Sequence, residues 1–168
     1  GRIKMAKKSA DTTNAVRHIT AMKLEFSVLS FECPTALSAT EISAMLSIPG
    51  EKVFKTLVTV GRSGEHYVFM VPAGNELDLK KAARAVGEKS IEMIKNRELL
   101  PLTGYIHGGC SPIGMKKQFV TVLDESAIGL DTIFFSGGKL GLQIEMSPSE
   151  FKKAVDYKLF DVCKRSGE

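Results

Sequence analysis

Apolar residues between positions 11 and 22 recur every three or four residues, which is the period of one face of a helix. Asp11 precedes most of them and can accept hydrogen bonds from free backbone amides, so we expect it to cap a helix that ends near Met22. Capping residues, prolines and glycines predict four further helices in the same way. These helices begin after Ser38, after Asp78, at Asn96 and after Ser147, and they end before Pro49, Gly87 and Pro101 and near Val155.

Runs of β-branched and aromatic residues alternate with these helices and predict strands. Residues 54–62 and 66–71 are joined by Ser63-Gly64-Glu65, a pattern typical of an antiparallel hairpin. Further strands are predicted at residues 25–31, 89–93, 119–123, 132–135 and 140–146, and residues 158–162 form a strand or a docked tail. The mixture of helices, strands and a hairpin predicts a single α/β (α+β) domain with a mixed β-sheet.

The chain has 168 residues, of which 43% are hydrophobic and 25% charged, as expected for one globular domain with a core of its own. No apolar run approaches the roughly 20 residues that cross a bilayer, and no signal peptide is apparent, so we expect a cytoplasmic protein without a membrane partner. The four residues before Met5 resemble an expression scar or an alternative start. We therefore treat residues 1–10 as a flexible lead and residues 11–168 as the domain.

Three cysteines at positions 33, 110 and 163 are widely separated, and no CxxC pair or finger-like histidine spacing accompanies them. This pattern indicates a reduced compartment and predicts neither a disulfide framework nor a metal site, and we expect no cofactor. The net charge of +4 permits contact with a polyanion without requiring it.

One stretch, Gly104-Tyr-Ile-His-Gly-Gly-Cys-Ser-Pro-Ile-Gly114, has four glycines and a proline among apolar residues. Such a backbone can take unusual conformations and direct several N–H groups at one phosphate, carboxylate or oxyanion. The alternative is a tight turn between strands with no ligand. The residues of the stretch do not decide between the two interpretations.

Three further features have both a chemical and a structural interpretation. Lys55, inside an apolar strand, either snorkels from a sheet edge or holds an oxygen at the mouth of a cleft. Ser136-Gly137-Gly138-Lys139 lacks the spacing of a nucleotide phosphate loop and also fits a hairpin turn. Cys110 could be a nucleophile, but no base is assured beside it, so a lining role is the simpler hypothesis.

Taken together, three motifs resemble the YbaK/EbsC family of aminoacyl-tRNA deacylases, which is related to the editing domain of bacterial prolyl-tRNA synthetase. The motifs are Phe54-Lys55-Thr56-Leu57, Gly104-Tyr105 with Gly108 to Gly114, and Ser136 to Lys139 with Gly141-Leu142. The resemblance covers about residues 11–162. It implies a mixed sheet flanked by helices and a cleft that receives the 3′ end of a mischarged tRNA.

The resemblance also implies a function, the removal in trans of cysteine attached to proline tRNA. Mischarged tRNA is then the partner, with prolyl-tRNA synthetase as a second candidate partner. Lys55 matches the family's essential lysine and would hold the substrate's carbonyl or terminal phosphate. Water or the substrate's own thiol would attack, and in the family the thiol route is the favoured account for cysteine.

The implied substrate-binding residues lie on the two loops and two strand positions. They are Phe31, Gly108, Gly109, Cys110, Ser111, Pro112, Ile113, Gly114, Ser136, Gly137, Gly138 and Gln143. Phe31 stands where cysteine-editing members resemble one another in having a tyrosine, and Gln143 stands where some of them carry an aspartate. These departures leave two alternatives open, namely a deacylase for another small amino acid and a non-catalytic module that binds tRNA or a synthetase.

Overall fold

The computed structural model describes residues 3–6 and 12–165, which form five α-helices and nine strands. The helices are α1 (Asn14–Ala21), α2 (Ala39–Leu46), α3 (Leu79–Val86), α4 (Asn96–Thr103) and α5 (Pro148–Ala154). The strands are β1 (Ile3–Ala6), β2 (Ser27–Phe31), β3 (Phe54–Gly61), β4 (His66–Pro72), β5 (Ile91–Met93), β6 (Val120–Asp124), β7 (Ile133–Ser136), β8 (Leu142–Met146) and β9 (Lys158–Phe160). The predicted α/β fold is confirmed.

The strands form two sheets rather than the one sheet that we expected. Four antiparallel strands in the order β1-β2-β8-β7 form the first sheet. The second has the order β5-β3-β4-β6-β9 and is mixed, because β6 is parallel to both β4 and β9. Among the described residues, one parallel bridge between Val53 and Phe134 links the two sheets through hydrogen bonding.

The described side chains form four hydrophobic clusters, of which the two largest hold these layers together. The larger core lies between the sheets and includes Ile19 of α1, Phe54 of β3, Phe135 of β7 and Phe151 of α5, all at most 2% exposed. On the other face of the second sheet, Phe69 and Val71 pack with Ala82 and Ala83 of α3. Neighbouring side chains of β3 and β4 point to opposite faces of the sheet, so these two strands contribute to the clusters on both faces.

The ends of two helices differ from the prediction. Thr13 caps α1, because its hydroxyl accepts a hydrogen bond from the Val16 amide at 3.2 Å, while Asp11 lies outside the described residues. Helix α4 continues through Pro101 to Thr103, although we expected it to stop. The Thr103 hydroxyl donates to the Leu99 carbonyl at 2.8 Å and the Gly104 amide to that of Leu100 at 2.8 Å, which closes the turn beyond the proline.

Part of the predicted flexible lead is a strand. Residues 3–6 pair with β2 in antiparallel register, with Ile3 opposite Phe31 and Ala6 opposite Val28. A strand can pair with an exposed sheet edge through its backbone, whatever its side chains are. The pattern of side chains therefore did not predict this strand. Among the described residues, none of the helices has the length and apolar character needed to cross a bilayer.

Candidate active site

A cleft with a volume of about 400 Å³ follows the open edge of β3. Among the described residues, strand β5 pairs with β3 only from Thr59 onward, and β7 forms a backbone bridge with this part of the chain at Val53. Between these two points, no strand among the described residues covers this side of β3. The cleft therefore lies where the two sheets separate.

The backbone N–H and C=O groups of successive β3 residues point alternately toward β4 and toward the cleft. The Val53 carbonyl accepts from the Ala73 amide at 2.8 Å, and the Gly61 amide donates to the Glu65 carbonyl at 2.8 Å. Antiparallel pairs alternate between bonded and non-bonded residues, so the backbone groups of the odd-numbered residues point toward β4. The N–H and C=O of Thr56 then point into the cleft.

Lys55 lines the cleft from the middle of this open edge and is partly buried. Among the described residues, no acidic side chain pairs with it, and the residues that line the cleft include Lys95 but no aspartate or glutamate. The charge of the described lining is therefore positive. Such a site favours an anionic oxygen, whether it belongs to a phosphate or develops during a reaction.

The glycine-rich stretch reaches the cleft through its first half. Gly108 and Cys110 line the wall, and His107 lies exposed at the mouth. Gly108 has φ +84°, and a Cβ there would come within 2.7 Å of the Ala36 Cβ, so this position requires glycine. The Gly109 amide donates to the Ile106 carbonyl at 3.0 Å, whereas the amides of Gly108 and Cys110 have no acceptor among the described residues.

The second half of the stretch turns into the protein and does not line the cleft. Ser111 is fully buried, and its hydroxyl accepts from the Ile113 amide at 3.3 Å. The Tyr105 hydroxyl donates to the Ile113 carbonyl at 2.5 Å, and Gly114 packs against the first turn of α1. The loop is thus held against the protein interior by Ser111, Pro112, Ile113 and Gly114. We expected these residues to line the cleft, but they do not.

The second loop contributes Ser136 to the lining, while Gly137 and Gly138 are packed behind it. The Thr13 hydroxyl donates to the Gly137 carbonyl at 2.5 Å and ties the loop to α1. A Cβ at Gly109 would lie 2.9 Å from the Lys139 Cα, so the two loops touch through their backbones. Gly109 is therefore a spacer between the loops and not part of the cleft surface.

The two positions that depart from the family pattern have different surroundings. Gln143 lines the cleft beside its strand partner Ser136 and is only 5% exposed, yet its Oε1 has no hydrogen-bond partner in the part of the chain that the structure describes. Phe31 does not line the cleft. It is buried on β2, where its amide donates to the Gly141 carbonyl at 2.9 Å and supports the second loop.

The Cys110 thiol is a poor nucleophile in this setting. Burial raises its pKa to about 12, because the negative charge of a thiolate is disfavoured away from water. The side chain also belongs to an apolar cluster with Val58, Leu99 and Tyr105. Cys110 thus offers the cleft an apolar surface and a backbone amide.

Sequence reasoning missed most of the cleft's rim. The additional lining residues come from the start of α2, from β3 and from the connection between β5 and α4: Ala36, Leu37, Ser38, Ala39, Ile42, Val53, Phe54, Thr56, Leu57, Val58, Met93, Ile94, Lys95, Asn96 and Leu99. Most are apolar or small, so they carry no chemical signal. Thr56 is an exception, because its buried hydroxyl oxygen has no partner.

Comparison with known proteins identifies relatives that act on aminoacyl-tRNA. The family model described as "Aminoacyl-tRNA editing domain" matches residues 33–154. The chain is 46% identical over 143 residues to EbsC of Enterococcus faecalis, a candidate Cys-tRNA(Pro)/Cys-tRNA(Cys) deacylase, and the match covers 84% of this chain and 87% of EbsC. A proline–tRNA ligase of Pelobacter propionicus is 29% identical over 97 residues, which is 58% of this chain and 17% of the ligase.

Solved structures share the fold. A crystal structure of a candidate trans-editing enzyme for prolyl-tRNA synthetase superposes with a TM-score of 0.77 at 27% identity, covering 92% of this chain and 99% of the other. A hypothetical protein superposes with a TM-score of 0.82 at 24% identity, covering 90% of this chain and all of the other. The free-standing relatives therefore match this chain along nearly its whole length.

Proposed function

The chain belongs to the aminoacyl-tRNA editing domain family, and from this premise we propose that it hydrolyses mischarged aminoacyl-tRNA in trans. Its substrate in this proposal is cysteine attached to proline tRNA. The relative EbsC supports this choice, because its name gives that substrate and it matches this chain over most of both lengths. The chain also matches 17% of a proline–tRNA ligase, which supports an editing role that accompanies the work of that synthetase.

Lys55 is the observation that carries the proposal. Its side chain lies on an open strand edge, has no acidic partner among the described residues, and shares a cleft with Gly108 and Cys110, whose amides have no acceptor among those residues. An ammonium group and two backbone donors around one space suit an ester whose carbonyl oxygen becomes negative during hydrolysis. In this proposal Lys55 holds the terminal phosphate or the carbonyl oxygen, and the two amides stabilise the oxyanion.

The chemistry then requires no nucleophile from the protein. Water adds to the ester carbonyl carbon, or the cysteine thiol of the substrate adds to it within the same molecule. The bond to the ribose oxygen breaks, and that oxygen takes up a proton as the tRNA leaves. An aminoacyl ester is already activated, so correct placement and charge stabilisation supply the main rate enhancement.

The proposal extends to partners and location. Mischarged tRNA enters by its 3′ end, and prolyl-tRNA synthetase is the candidate that would deliver it. A role in translation places the protein in the cytoplasm. These statements follow from the proposed reaction and can be tested with it.

A deacylation panel tests the proposal. Cysteine, alanine and serine attached to proline tRNA are incubated with the protein, with Lys55→Met and with Lys80→Ala, and the release of amino acid is followed. Lys80 is exposed on α3, away from the cleft, and serves as the matched control. We expect Lys55→Met to lower kcat/KM by about 100-fold, as expected for loss of a charged transition-state contact, and Lys80→Ala to leave it unchanged.

Two outcomes of this panel would contradict the proposal. Unchanged turnover in a folded Lys55→Met variant would remove Lys55 from the mechanism. No release of any amino acid, together with tight tRNA binding, would favour a non-catalytic module.

One observation favours a second substrate. Gln143 lines the cleft as a neutral amide, where the resemblance implies that some cysteine-editing members carry an aspartate. Faster release of alanine or serine than of cysteine would assign the protein to another small amino acid.

A further inference from the structure

The two sides of the cleft mouth differ in charge. The side at the start of α2 belongs to residues 24–51, a stretch with four glutamates and no lysine or arginine. The side at α4 belongs to residues 95–117, which contain four lysines and arginines and one glutamate. An anionic chain that leaves the cleft is therefore attracted toward α4 and repelled from α2.

On the α2 side, the acidic groups lie next to residues that line the cleft. The Glu41 carboxylate accepts a hydrogen bond from the Ser38 amide at 3.0 Å, and Ser38 lines the cleft. Glu32 is exposed in the connection from β2 to α2, whose last residues also line the cleft. This side of the mouth is therefore unfavourable for a phosphate.

On the α4 side, a row of cations extends from the cleft to the far end of the helix. Lys95 lines the cleft just before α4, and Arg97 is exposed in the first turn. At the other end, the Lys116 side chain lies over Gly104, with its Nζ 3.5 Å from the Pro101 carbonyl oxygen. The two ends of the row are about 12 Å apart, because each of the eight residues of α4 rises about 1.5 Å.

The exposed face of α4 connects the two ends of this row. Residues 97, 100, 101 and 104 follow one another at intervals of three or four positions, so they share one side of the helix. Lys117 continues the row beyond Lys116, with its Nζ 5.8 Å from the centre of the Phe119 ring. We call the whole row the α4 track, and its members are Lys95, Arg97, Lys116 and Lys117.

The charges of the α4 track are available to a ligand. Within the described part of the chain, no ion pair includes any of the four cations. Glu98 is the one acidic residue between them in sequence, and its carboxylate accepts instead from the Lys95 amide at 2.8 Å.

The spacing of the track suits the backbone of a nucleic-acid strand. Phosphates follow one another about every 3.4 Å along a stacked strand, so a row of about 12 Å passes about three of them. Leu100 and Ile106 are about half exposed beside the cations, and unpaired bases have apolar faces that fit such side chains. An unpaired strand therefore matches both the charge and the apolar surface of this face.

We propose that the α4 track binds the phosphates of the tRNA strand that carries the ester, and that tRNA approaches the cleft over α4 rather than over α2. This inference rests on the proposed function and adds the surface that holds the nucleic acid. Lys55 acts at the end of the strand, and the track acts on the nucleotides before it. Arg97, Lys116 and Lys117 lie outside the cleft lining, so they do not contact a substrate without phosphates.

Charge reversal tests this surface. Lys116→Glu/Lys117→Glu is compared with Lys80→Glu/Lys158→Glu, which changes the charge equally on α3 and β9, away from the cleft. At about 50 mM salt, the first variant should lower kcat/KM on cysteinyl-tRNA at least about 10-fold and the second less than about twofold. Both should hydrolyse cysteinyl-adenosine, which has no phosphate, at the unmodified rate. Equal losses on cysteinyl-tRNA would show a general effect of net charge and overturn the inference.

Arg97 provides a test that is independent of folding. A glutamate in the first turn suits a helix N-terminus, so Arg97→Glu should not lower the melting temperature. We expect this variant to lower kcat/KM on cysteinyl-tRNA at least about threefold, and Arg97→Lys to stay within about twofold, because a phosphate contact requires the charge. Full activity of both Arg97→Glu and Lys116→Glu/Lys117→Glu would overturn the inference.

Glu32→Lys tests the direction of approach. This substitution adds a cation on the α2 side, and we expect kcat/KM on cysteinyl-tRNA to rise less than about twofold, since the strand lies on the other side. A gain of about 10-fold would place the strand over α2 and overturn the inference. Losses in the track variants that appear only when prolyl-tRNA synthetase is present would assign the track to a protein partner and also overturn it.

Binding of uncharged proline tRNA, followed by fluorescence anisotropy, distinguishes this inference from the proposed function. Weaker binding by Lys116→Glu/Lys117→Glu, with no hydrolysis by the unmodified protein, would disprove the proposed function and support the surface. Hydrolysis by the unmodified protein, with equal tRNA binding by that variant, would support the proposed function and overturn the surface.

Discussion

At the scale of single residues, Cys110 shows how its surroundings decide chemistry. It stands between glycine and serine in the wall of the cleft, where a reactive thiol would be an obvious hypothesis. Burial raises its pKa to about 12, so the thiol stays protonated throughout the physiological range. Its side chain therefore fills space, and its amide is the group available to a ligand.

The first prediction concerns this thiol. We expect Cys110→Ala to keep kcat within about threefold of the unmodified protein, a change of less than 1 kcal/mol in the barrier, and to show the same rate profile between pH 6 and 9. Iodoacetamide at pH 8 should label the partly exposed Cys33 before the buried Cys110 and Cys163, as mass spectrometry can show. Loss of activity that follows labelling of Cys110 would contradict this account.

The residues of the site differ in how far the sequence could reveal them. Lys55 was identified through a resemblance, because a lysine in an apolar strand is ambiguous by itself. Thr56 could not be identified, since threonine is common in strands and its meaning depends on a hydroxyl buried without a partner. Phe31 was predicted to bind substrate, but it supports the second loop through its backbone.

At the scale of elements, the site depends on two loops that touch through their backbones. A side chain at Gly109 would collide with the Lys139 backbone, whereas a Cβ at Gly74 would meet nothing within 4 Å. Both glycines lie in loops of the described region. Alanine substitutions at the two positions can therefore be compared to test whether the contact between the loops affects stability and activity.

We predict that Gly109→Ala separates the loops and moves the amides of Gly108 and Cys110. Stability should fall by about 1–3 kcal/mol, as is usual for overpacking, and kcat should fall by at least about 10-fold. Gly74→Ala should change neither by more than about 0.5 kcal/mol. Denaturant unfolding and the deacylation assay measure both effects, and full activity of Gly109→Ala would rule out a role for the loop contact.

Helix α2 offers a second test, because its cap lies at the cleft. The Glu41 amide donates to the Ser38 hydroxyl at 3.1 Å, and the Glu150 amide donates to the Ser147 hydroxyl at 3.1 Å in the cap of α5. Only Ser38 lines the cleft. In both caps a serine hydroxyl accepts from the amide three residues later, and only the cap of α2 also has the returning bond from Glu41 to the serine amide.

We expect Ser38→Ala and Ser147→Ala each to lower the free energy of unfolding by about 1 kcal/mol. Only Ser38→Ala should also raise KM, because fraying of α2 loosens one wall of the cleft. Equal KM values in the two variants would show that the start of α2 does not contact the substrate.

The elements themselves were more predictable than their assembly. Local signals were sufficient for both serine caps and for the hairpin of β3 and β4, because each depends on neighbours in sequence. The division into two sheets depends on pairings between strands that are far apart in the sequence, such as β2 with β8, which no local pattern encodes. The continuation of α4 through Pro101 likewise depends on a later threonine.

At the scale of the whole molecule, charge should control how tRNA arrives. The chain carries 23 lysines and arginines against 19 aspartates and glutamates, and the charged residues that line the cleft are Lys55 and Lys95. Contacts between lysines and phosphates release counterions, so their strength falls as salt rises. A minimal substrate that lacks the tRNA body would not depend on such contacts.

We therefore predict different salt dependences for two substrates. Raising the salt from about 50 to 200 mM should lower kcat/KM on cysteinyl-tRNA by about 10-fold, as expected for some two phosphate contacts. Hydrolysis of cysteinyl-adenosine should change by less than about twofold. The same steep dependence for both substrates would show that the salt acts on the site itself and not on the approach of tRNA.

The backbone contact between the two glycine loops has a consequence for how such a protein diversifies. Positions 108, 109 and 137 accept no side chain without collision, so mutation at this wall is constrained whatever substrate is favoured. The rest of the rim, at residues 37–39 and 93–96, also lines the cleft, whereas Ala36 lies against Gly108 and belongs with the constrained wall. Descendants of one ancestor could therefore exchange amino-acid preference by changing the rim while inheriting the wall unchanged.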